Sequence, residues 1–346
     1  MLSLDEYVSF IEAMGGTGAH STLKRIYDGY NSPEDRGELK VEPVDWQDYM
    51  MRQAVSQRYY LSISGRPKTI SYNFSVGYQK KDGIVRQTGA EQYTVRLNVN
   101  KQVSKKFQVG TKLNLAHVSS SMTQGMSTTR LDAASSMMRS MLVSRPFMGI
   151  GGTVIDDEDD DYDEFRSTPA RWLGDFNSLR KEYRVTPHIF AEWKIFKWLE
   201  FKSAFGGDYR LQERTKWKGW TINNGTDGSV SSVMSSNTYR WNWDNTLNFN
   251  KKIRKHRINA TLGMATSLSK NSIDVIEGWN IPEYKAQHHN INAAVNTRIA
   301  YTESAVSENS FFARAMYNYA DRYLLTATCR VDGSSKFVKA NRYSVF

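Results

Sequence analysis

No stretch of this chain approaches the roughly 18 consecutive apolar residues that a membrane-spanning helix needs, and its mean hydropathy is -0.58. A single cysteine, Cys329, excludes an intrachain disulfide. Only seven prolines occur, and Pro187 is the one inside a run that reads as a strand. The six histidines are scattered, with no metal-like spacing and no Ser–His–acid set converging on one face. The opening Met1-Leu2-Ser3-Leu4-Asp5-Glu6 has neither a basic nor an apolar signal region, so no secretory signal is read there. Helical membrane proteins and disulfide scaffolds are thereby excluded, and nothing in the sequence asks for a cofactor or a metal.

The net charge of +10 raises nucleic acid as a partner. Its basic residues are dispersed, however, and the densest group, Lys251, Lys252, Arg254, Lys255, His256 and Arg257, falls in a predicted short turn. No nucleic-acid partner is expected.

What the chain does have is a two-faced stripe, repeated. From Ile70 to Gln79, Ile70, Tyr72, Phe74, Val76 and Tyr78 alternate with Ser71, Asn73, Ser75, Gly77 and Gln79. That is the period of a strand with one apolar and one polar face. Ten such runs are read, at about 57–64, 69–79, 92–103, 107–117, 183–195, 199–209, 238–250, 257–268, 309–319 and 323–332. Ahead of them a helix is predicted from a Ser3/Glu6 capping box, with Leu4, Tyr7, Val8, Ile11 and Met14 on one face and Gly15-Gly16 as its stop.

The predicted connections also alternate. Short ones (65–68, 104–106, 196–198, 251–256, 320–322) take turns with long ones (80–91, 118–182, 210–237, 269–308). Outer-membrane barrels pair short periplasmic turns with long extracellular loops in this way. Strand 57–64 then descends from outside, which makes 1–56 an extracellular segment and 57–346 the barrel segment.

Charge decides between lipid and a soluble core. On the ten apolar faces the only charged residue is Lys101, whereas the opposite faces carry many, among them Arg96, Arg184, Asp208, Arg240, Asp244, Arg330 and Asp332. A charge in mid-bilayer costs about 2–4 kcal/mol, so the first face fits lipid and the second a watery lumen. Aromatics, 12% of the chain, sort by height into two girdles: Tyr59, Tyr78, Tyr93, Tyr209, Tyr239 and Trp241 outward, and Phe107, Trp193, Phe249, Tyr317, Tyr319 and Tyr323 toward the periplasm. The expected fold is all-β: about ten strands of a transmembrane antiparallel β-barrel, with long extracellular loops and short helices.

Two blocks resemble a known family. Val44-Asp45-Trp46-Gln47-Asp48, Tyr60-Leu61-Ser62-Ile63-Ser64-Gly65 and Arg96-Leu97-Asn98-Val99-Asn100 resemble the start of the barrel in SusC/RagA-type TonB-linked outer-membrane proteins. The end is more similar still, with Asp321-Arg322-Tyr323-Leu324-Leu325-Thr326-Ala327-Thr328, Arg330-Val331-Asp332-Gly333-Ser334-Ser335-Lys336-Phe337 and Asn341-Arg342-Tyr343. The resemblance implies a 22-stranded barrel filled by a plug, importing oligosaccharide or peptide under TonB and capped by a SusD-like surface lipoprotein. Measured against that pattern the chain lacks a plug, a TonB box and the later strands, so about half a wall is expected.

Binding chemistry is sparse. Trp217 and Trp220 are read with Tyr209 as a cluster at the mouth of a hairpin, and with Tyr239 they are the candidate substrate-stacking residues, set against a plain girdle or packing role. The acidic run Asp156–Asp161, continued by Asp163 and Glu164, lacks the turn glycine of a calcium loop and reads as a solvated loop. His288-His289 and His188 have no metal-spaced partner, and Gly149-Ile150-Gly151-Gly152 has no strand-to-helix context for phosphate. Two other functions compete with import. A soluble carbohydrate-binding β-domain would need its apolar stripes to face one another, and an outer-membrane hydrolase would need a catalytic triad.

Overall fold

A computed structural model describes residues 2–122, 137–149, 168–223, 228–282 and 287–346. The acidic run 156–161, with Asp163 and Glu164, lies outside the described residues, as do 150–152, and of His288 and His289 only the backbone is described.

The N-terminal helix forms where the capping box places it. In α1 (Leu4–Met14), Ser3 Oγ accepts from the Glu6 N–H, and the Ser3 N–H donates back to Glu6 Oε2 at 2.8 Å. Gly15, at φ +62°, ends it. A second helix not foreseen from the sequence, α2 (Gly16–Ile26), starts at the next residue. Leu4, Val8 and Ile11 of α1 pack on Leu23 and Ile26 of α2. The hairpin of β1 (Tyr27–Asp28) and β2 (Glu38–Leu39) follows, then β3 (Val41–Pro43) and α3 (Trp46–Met50).

The main sheet has eleven strands, all antiparallel and in almost pure sequence order. It runs through β4 (Ser56–Gly65), β5 (Ile70–Asp82), β6 (Gly89–Ser104) and β7 (Phe107–Ser121). After β7 come α4 (Met137–Val143), the short β8 (Phe147–Gly149), which pairs with β3, and α5 (Pro169–Asp175). The sheet resumes with β9 (Phe176–Phe196) and β10 (Leu199–Lys218), and after α6 (Trp220–Asn223) with β11 (Val230–Ile253) and β12 (His256–Trp279). It ends with β13 (Asn296–Tyr319), β14 (Tyr323–Ser334) and the unforeseen three-residue β15 (Tyr343–Val345).

The short turns lie within a few residues of their predicted places, and Arg254 and Lys255 alone connect β11 to β12. The long connections differ. Segments predicted as loops at 80–91, 210–237 and 269–308 are strand over half or more of their length, leaving only 83–88, 219–229 and 280–295 between strands. The reason lies in the solvent on each face. A row of rings crosses the apolar face in register, Tyr59 opposite Tyr78, Tyr78 opposite Tyr93, Tyr93 opposite His117 and His117 opposite Tyr183. One step past that row the same face turns polar, at Lys80, Glu91, Ser119 and Lys181. Backbone pairing continues there while the apolar period, the only signal a sequence reading can follow, stops.

Below the row the apolar face is bare: Leu61 is 62% exposed, Leu262 56% and Leu325 67%. The other sheets among the described residues have two strands each, too small to cover it as a sandwich requires. Burial is concentrated instead at the long-connection end. There Trp46, Met50, Val85, Met137, Met141, Trp172, Phe176 and Ile222 form one cluster, joining α3, α4, α5 and α6 to the 83–88 connection and the start of β9. The 1–56 segment is tied into the same region, since the Trp46 indole donates to the Arg145 carbonyl and β3 pairs with β8.

Candidate functional site

Strand alternation puts Arg184 and Asp208 on the polar face of β9 and β10. The guanidinium donates from Nε to Asp208 Oδ1 at 2.9 Å and from Nη2 to Oδ2 at 3.0 Å, the bidentate geometry that makes such pairs strong. Asp208 is also in register with Arg240, whose Nε donates to Ser269 Oγ at 3.2 Å. Asp244 accepts from Asn242 Nδ2 at 2.7 Å. These four charged residues lie on three adjacent strands, Arg184, Asp208 and Arg240 side by side and Asp244 four residues along β11, opposite Ala204. Arg330 and Asp332 form a pair on β14, bonded to each other at 2.7 Å, with Arg330 also reaching Ser310. Arg96 stands apart on β6, opposite Ser75 and Asn114. The seven charged residues read from the sequence thus lie in three places.

The aromatic candidates are not one cluster. Trp217 lies eight residues along β10 from Tyr209, about 26 Å at ~3.3 Å per residue. It is fully buried, its indole N–H bonded to Asp175 at 2.9 Å, so it presents no open face for stacking. The expectation of an exposed Trp217 is corrected for a plain reason: ring exposure depends on what the α5 and α6 region brings over the strand end. Trp220, in α6, is half-exposed. Tyr209 and Tyr239 are directly opposite one another, both partly exposed, and the Tyr209 hydroxyl donates to Asn237 Oδ1 at 3.0 Å.

In the structure Glu192 pairs with Lys202 at 2.7 Å, and His188 faces Lys112 and Gly206 across the ladder. Pro187 is accommodated by Gly207, where an added Cβ would come within 3.0 Å of the Pro187 ring. Cys329 lies on the apolar face, as its strand period predicts, in a shallow groove of 480 Å³ with Phe201, Leu247, Leu262, Met264 and Phe311. Among the described residues no group of three His, Cys, Asp or Glu is placed to hold a metal.

Sequence reasoning missed three arginines on the polar face, Arg180, Arg210 and Arg214. They fell in or beside stretches read as loops, and register alone brings them together. It also missed His117, whose ring stacks on Tyr183 with centroids 4.4 Å apart in the middle of the tyrosine row.

No family model matches the chain. Its sequence is similar to TonB-dependent receptor P26 of Formosa agariphila, 26% identical over 322 residues, which covers 87% of this chain and 30% of that protein. It is also similar to TonB-dependent receptor SusC of Bacteroides thetaiotaomicron, 24% identical over 379 residues, covering 96% of this chain and 35% of the relative. The chain therefore spans about a third of the length of these relatives. In fold it matches the RagAB peptide importer in its open-open state, with a TM-score of 0.74 at 19% identity, over 100% of this chain and 40% of the other. A weaker likeness, TM-score 0.50 at 8% identity over 85% of this chain and 36% of the other, extends to the ferric citrate transporter FecA. These are receptors and importers, not enzymes. With an ordered antiparallel sheet, one bare apolar face and these likenesses, the chain is SusC/RagA-like: it resembles a stretch of β-barrel wall from the TonB-dependent receptors of Gram-negative outer membranes.

Proposed function

We propose that this chain is part of the wall of a TonB-dependent importer of oligomeric nutrient, oligosaccharide or peptide, working with a SusD-like surface lipoprotein. The observation that carries the reading is the two-faced sheet. Its apolar face is exposed below the ring row, and its polar face holds the Arg184–Asp208–Arg240 patch. Such a wall is stable only with lipid on one side and water on the other. In this reading Arg96, Arg184, Asp208, Arg240, Asp244, Arg330 and Asp332 face the lumen. Residues 1–56 with the long connections lie outside the cell, and the short turns lie in the periplasm. Trp220 is the stacking candidate that keeps ring surface in the open, while Tyr209 and Tyr239, on the apolar face, fit the girdle role set against stacking. TonB acts through a plug, and the peptide named for the RagAB importer and the partner implied by SusC likeness supply the classes of nutrient and lid.

The test is uptake of labelled oligosaccharide and peptide mixtures by cells with the receptor, without it, and with it but lacking TonB. Uptake of one mixture lost in both deletions is the expected result. Uptake that needs the receptor but not TonB would overturn the reading.

A further inference from the structure

Over residues 180–184 of β9 and 208–214 of β10 the polar face carries four arginines and two carboxylates, Glu182 and Asp208. Register sets Arg180 opposite Arg214, Glu182 opposite Gln212, and Arg184 opposite Arg210. Side chains directly opposed on neighbouring strands stand about 4.5–5.5 Å apart at Cβ, and like charges so placed repel. Two of these three pairs are arginine against arginine. Asp208 is taken up by Arg184, and Glu182 by the Nη2 of Arg180 at 3.1 Å. Arg210 and Arg214 have no hydrogen-bond or ion-pair partner among the described residues, and the Nε atoms of Arg180 and Arg214 are buried without an acceptor.

The neighbouring strands add no negative charge. On β7 the facing residues are Ser120, Val118 and Ala116. On β11 they are Met234 opposite Arg214, Ser236 opposite Gln212 and Thr238 opposite Arg210. These flanks are neutral, so among the described residues of the four strands only Glu182 and Asp208 offset the four arginines. A guanidinium withdrawn from water with a donor unused is costly. Its planar fork matches the oxygens of a carboxylate or sulfate ester better than any other side chain does.

We propose that Arg180, Arg210 and Arg214 form an oxyanion subsite that takes carboxylate or sulfate groups carried on the imported oligomer. Arg210 and Arg214 are four residues apart on one strand, about 13 Å at ~3.3 Å per residue, so an extended oligomer can set successive anionic groups against them. The inference rests on the import reading, because it requires the polar face to line the lumen.

The experiment uses the full-length receptor in detergent and three probes: hexagalacturonate, its fully methyl-esterified form, and hexaglutamate. At least one charged probe is expected to bind, and the neutral ester is not. Arg180→Gln with Arg214→Gln is expected to weaken that binding at least tenfold, and Arg210→Gln alone several-fold. The single variant guards against a double variant that misfolds, and heat-modifiable migration on gels reports folding of each. Preference for one charged probe tells glycan from peptide. Equal binding of acid and ester, binding of neither charged probe, or unchanged affinity in well-folded variants would overturn the subsite. Uptake of the receptor's own nutrient that stays TonB-dependent in that case would leave the import reading standing. Charged-probe binding by a receptor whose uptake ignores TonB would remove the import reading and keep the anion site.

Discussion

Trp217 donates its indole N–H to the carboxylate of Asp175 at 2.9 Å, and so fastens the end of β10 to the residue just before β9. Asp175 Oδ2 also accepts from the Thr221 hydroxyl at 2.8 Å and the Thr221 N–H at 3.2 Å. Gly219 passes so close to that carboxylate that a Cβ would overlap it. One acidic side chain thus organises the turn into α6.

The two tryptophans should therefore behave differently. Trp217→Ala removes a fully buried ring, a change that costs about 3–5 kcal/mol in well-packed sites, and frees the connection at 219–229. Trp220→Ala, at a half-exposed position, should stay within about 0.5 kcal/mol. Limited proteolysis on intact cells, together with surface abundance, reads the difference. New cleavage near 219–229 in W217A and none in W220A is expected, and equal resistance of both would contradict the packing. If Trp220 stacks on nutrient, its variant alone weakens uptake at unchanged abundance.

The apolar face offers an independent test. Leu247 lies in the groove beside Leu262 and Phe311, so Leu247→Arg should cost about 2–4 kcal/mol if the site is in mid-bilayer. Leu61→Arg on β4 should cost a similar amount. Asn98 is on the opposite face, between Asn73 and Lys112. Asn98→Asp should be tolerated, whereas Asn98→Arg, set against Lys112, should lose only the roughly 0.2–1 kcal/mol of a like-charge pair. Urea titration of the folded receptor in lipid vesicles gives these values. Similar losses at Leu247 and Asn98 would mean that the apolar face does not meet lipid.

Topology can be read with thiols. In a Cys329→Ala background, Val295→Cys and Ile84→Cys, both well exposed at the long-connection end, should react with an impermeant maleimide on intact cells. Lys105→Cys, in the short turn between β6 and β7, should react only after the outer membrane is opened. Labelling of position 105 alone would invert the orientation.

The sequence revealed those parts of the fold that alternate because two solvents differ. Ile70, Tyr72, Phe74, Val76 and Tyr78 announce their strand because lipid and water sort side chains at every second residue. The turn at Arg254 and Lys255 is legible because two such runs stop within a few residues of each other. Above the ring row both faces meet water, so Lys270 and Glu303 can bond across β12 and β13 at 2.9 Å with no apolar period to mark the strands beneath them. Arg184 and Asp208 were legible as charges on one face, but their bidentate pairing depends on register. Arg180 and Arg214 are 34 positions apart by their numbers and become neighbours only through the pairing of β9 with β10. Trp217 was misplaced because burial at a strand end is decided by the segments that fold over it.

The 346-residue chain made on its own tests the lipid-facing wall directly. Its sheet has two edges, β4 on one side and β14 with the short β15 on the other. Every residue of β4 from Ser56 to Ser64 is exposed, and its Tyr59, Leu61 and Ile63 continue the apolar face. An edge of ten residues leaves a row of backbone donors and acceptors unpaired. In lipid those groups would have no partner, and in water the apolar face would have no cover. The isolated chain should therefore collect in inclusion bodies and, after refolding without detergent, associate through its edges. Size-exclusion chromatography with light scattering decides the matter. A stable monomer in plain buffer would show that the apolar face finds cover within the chain, and the reading of it as a lipid-facing wall would fail.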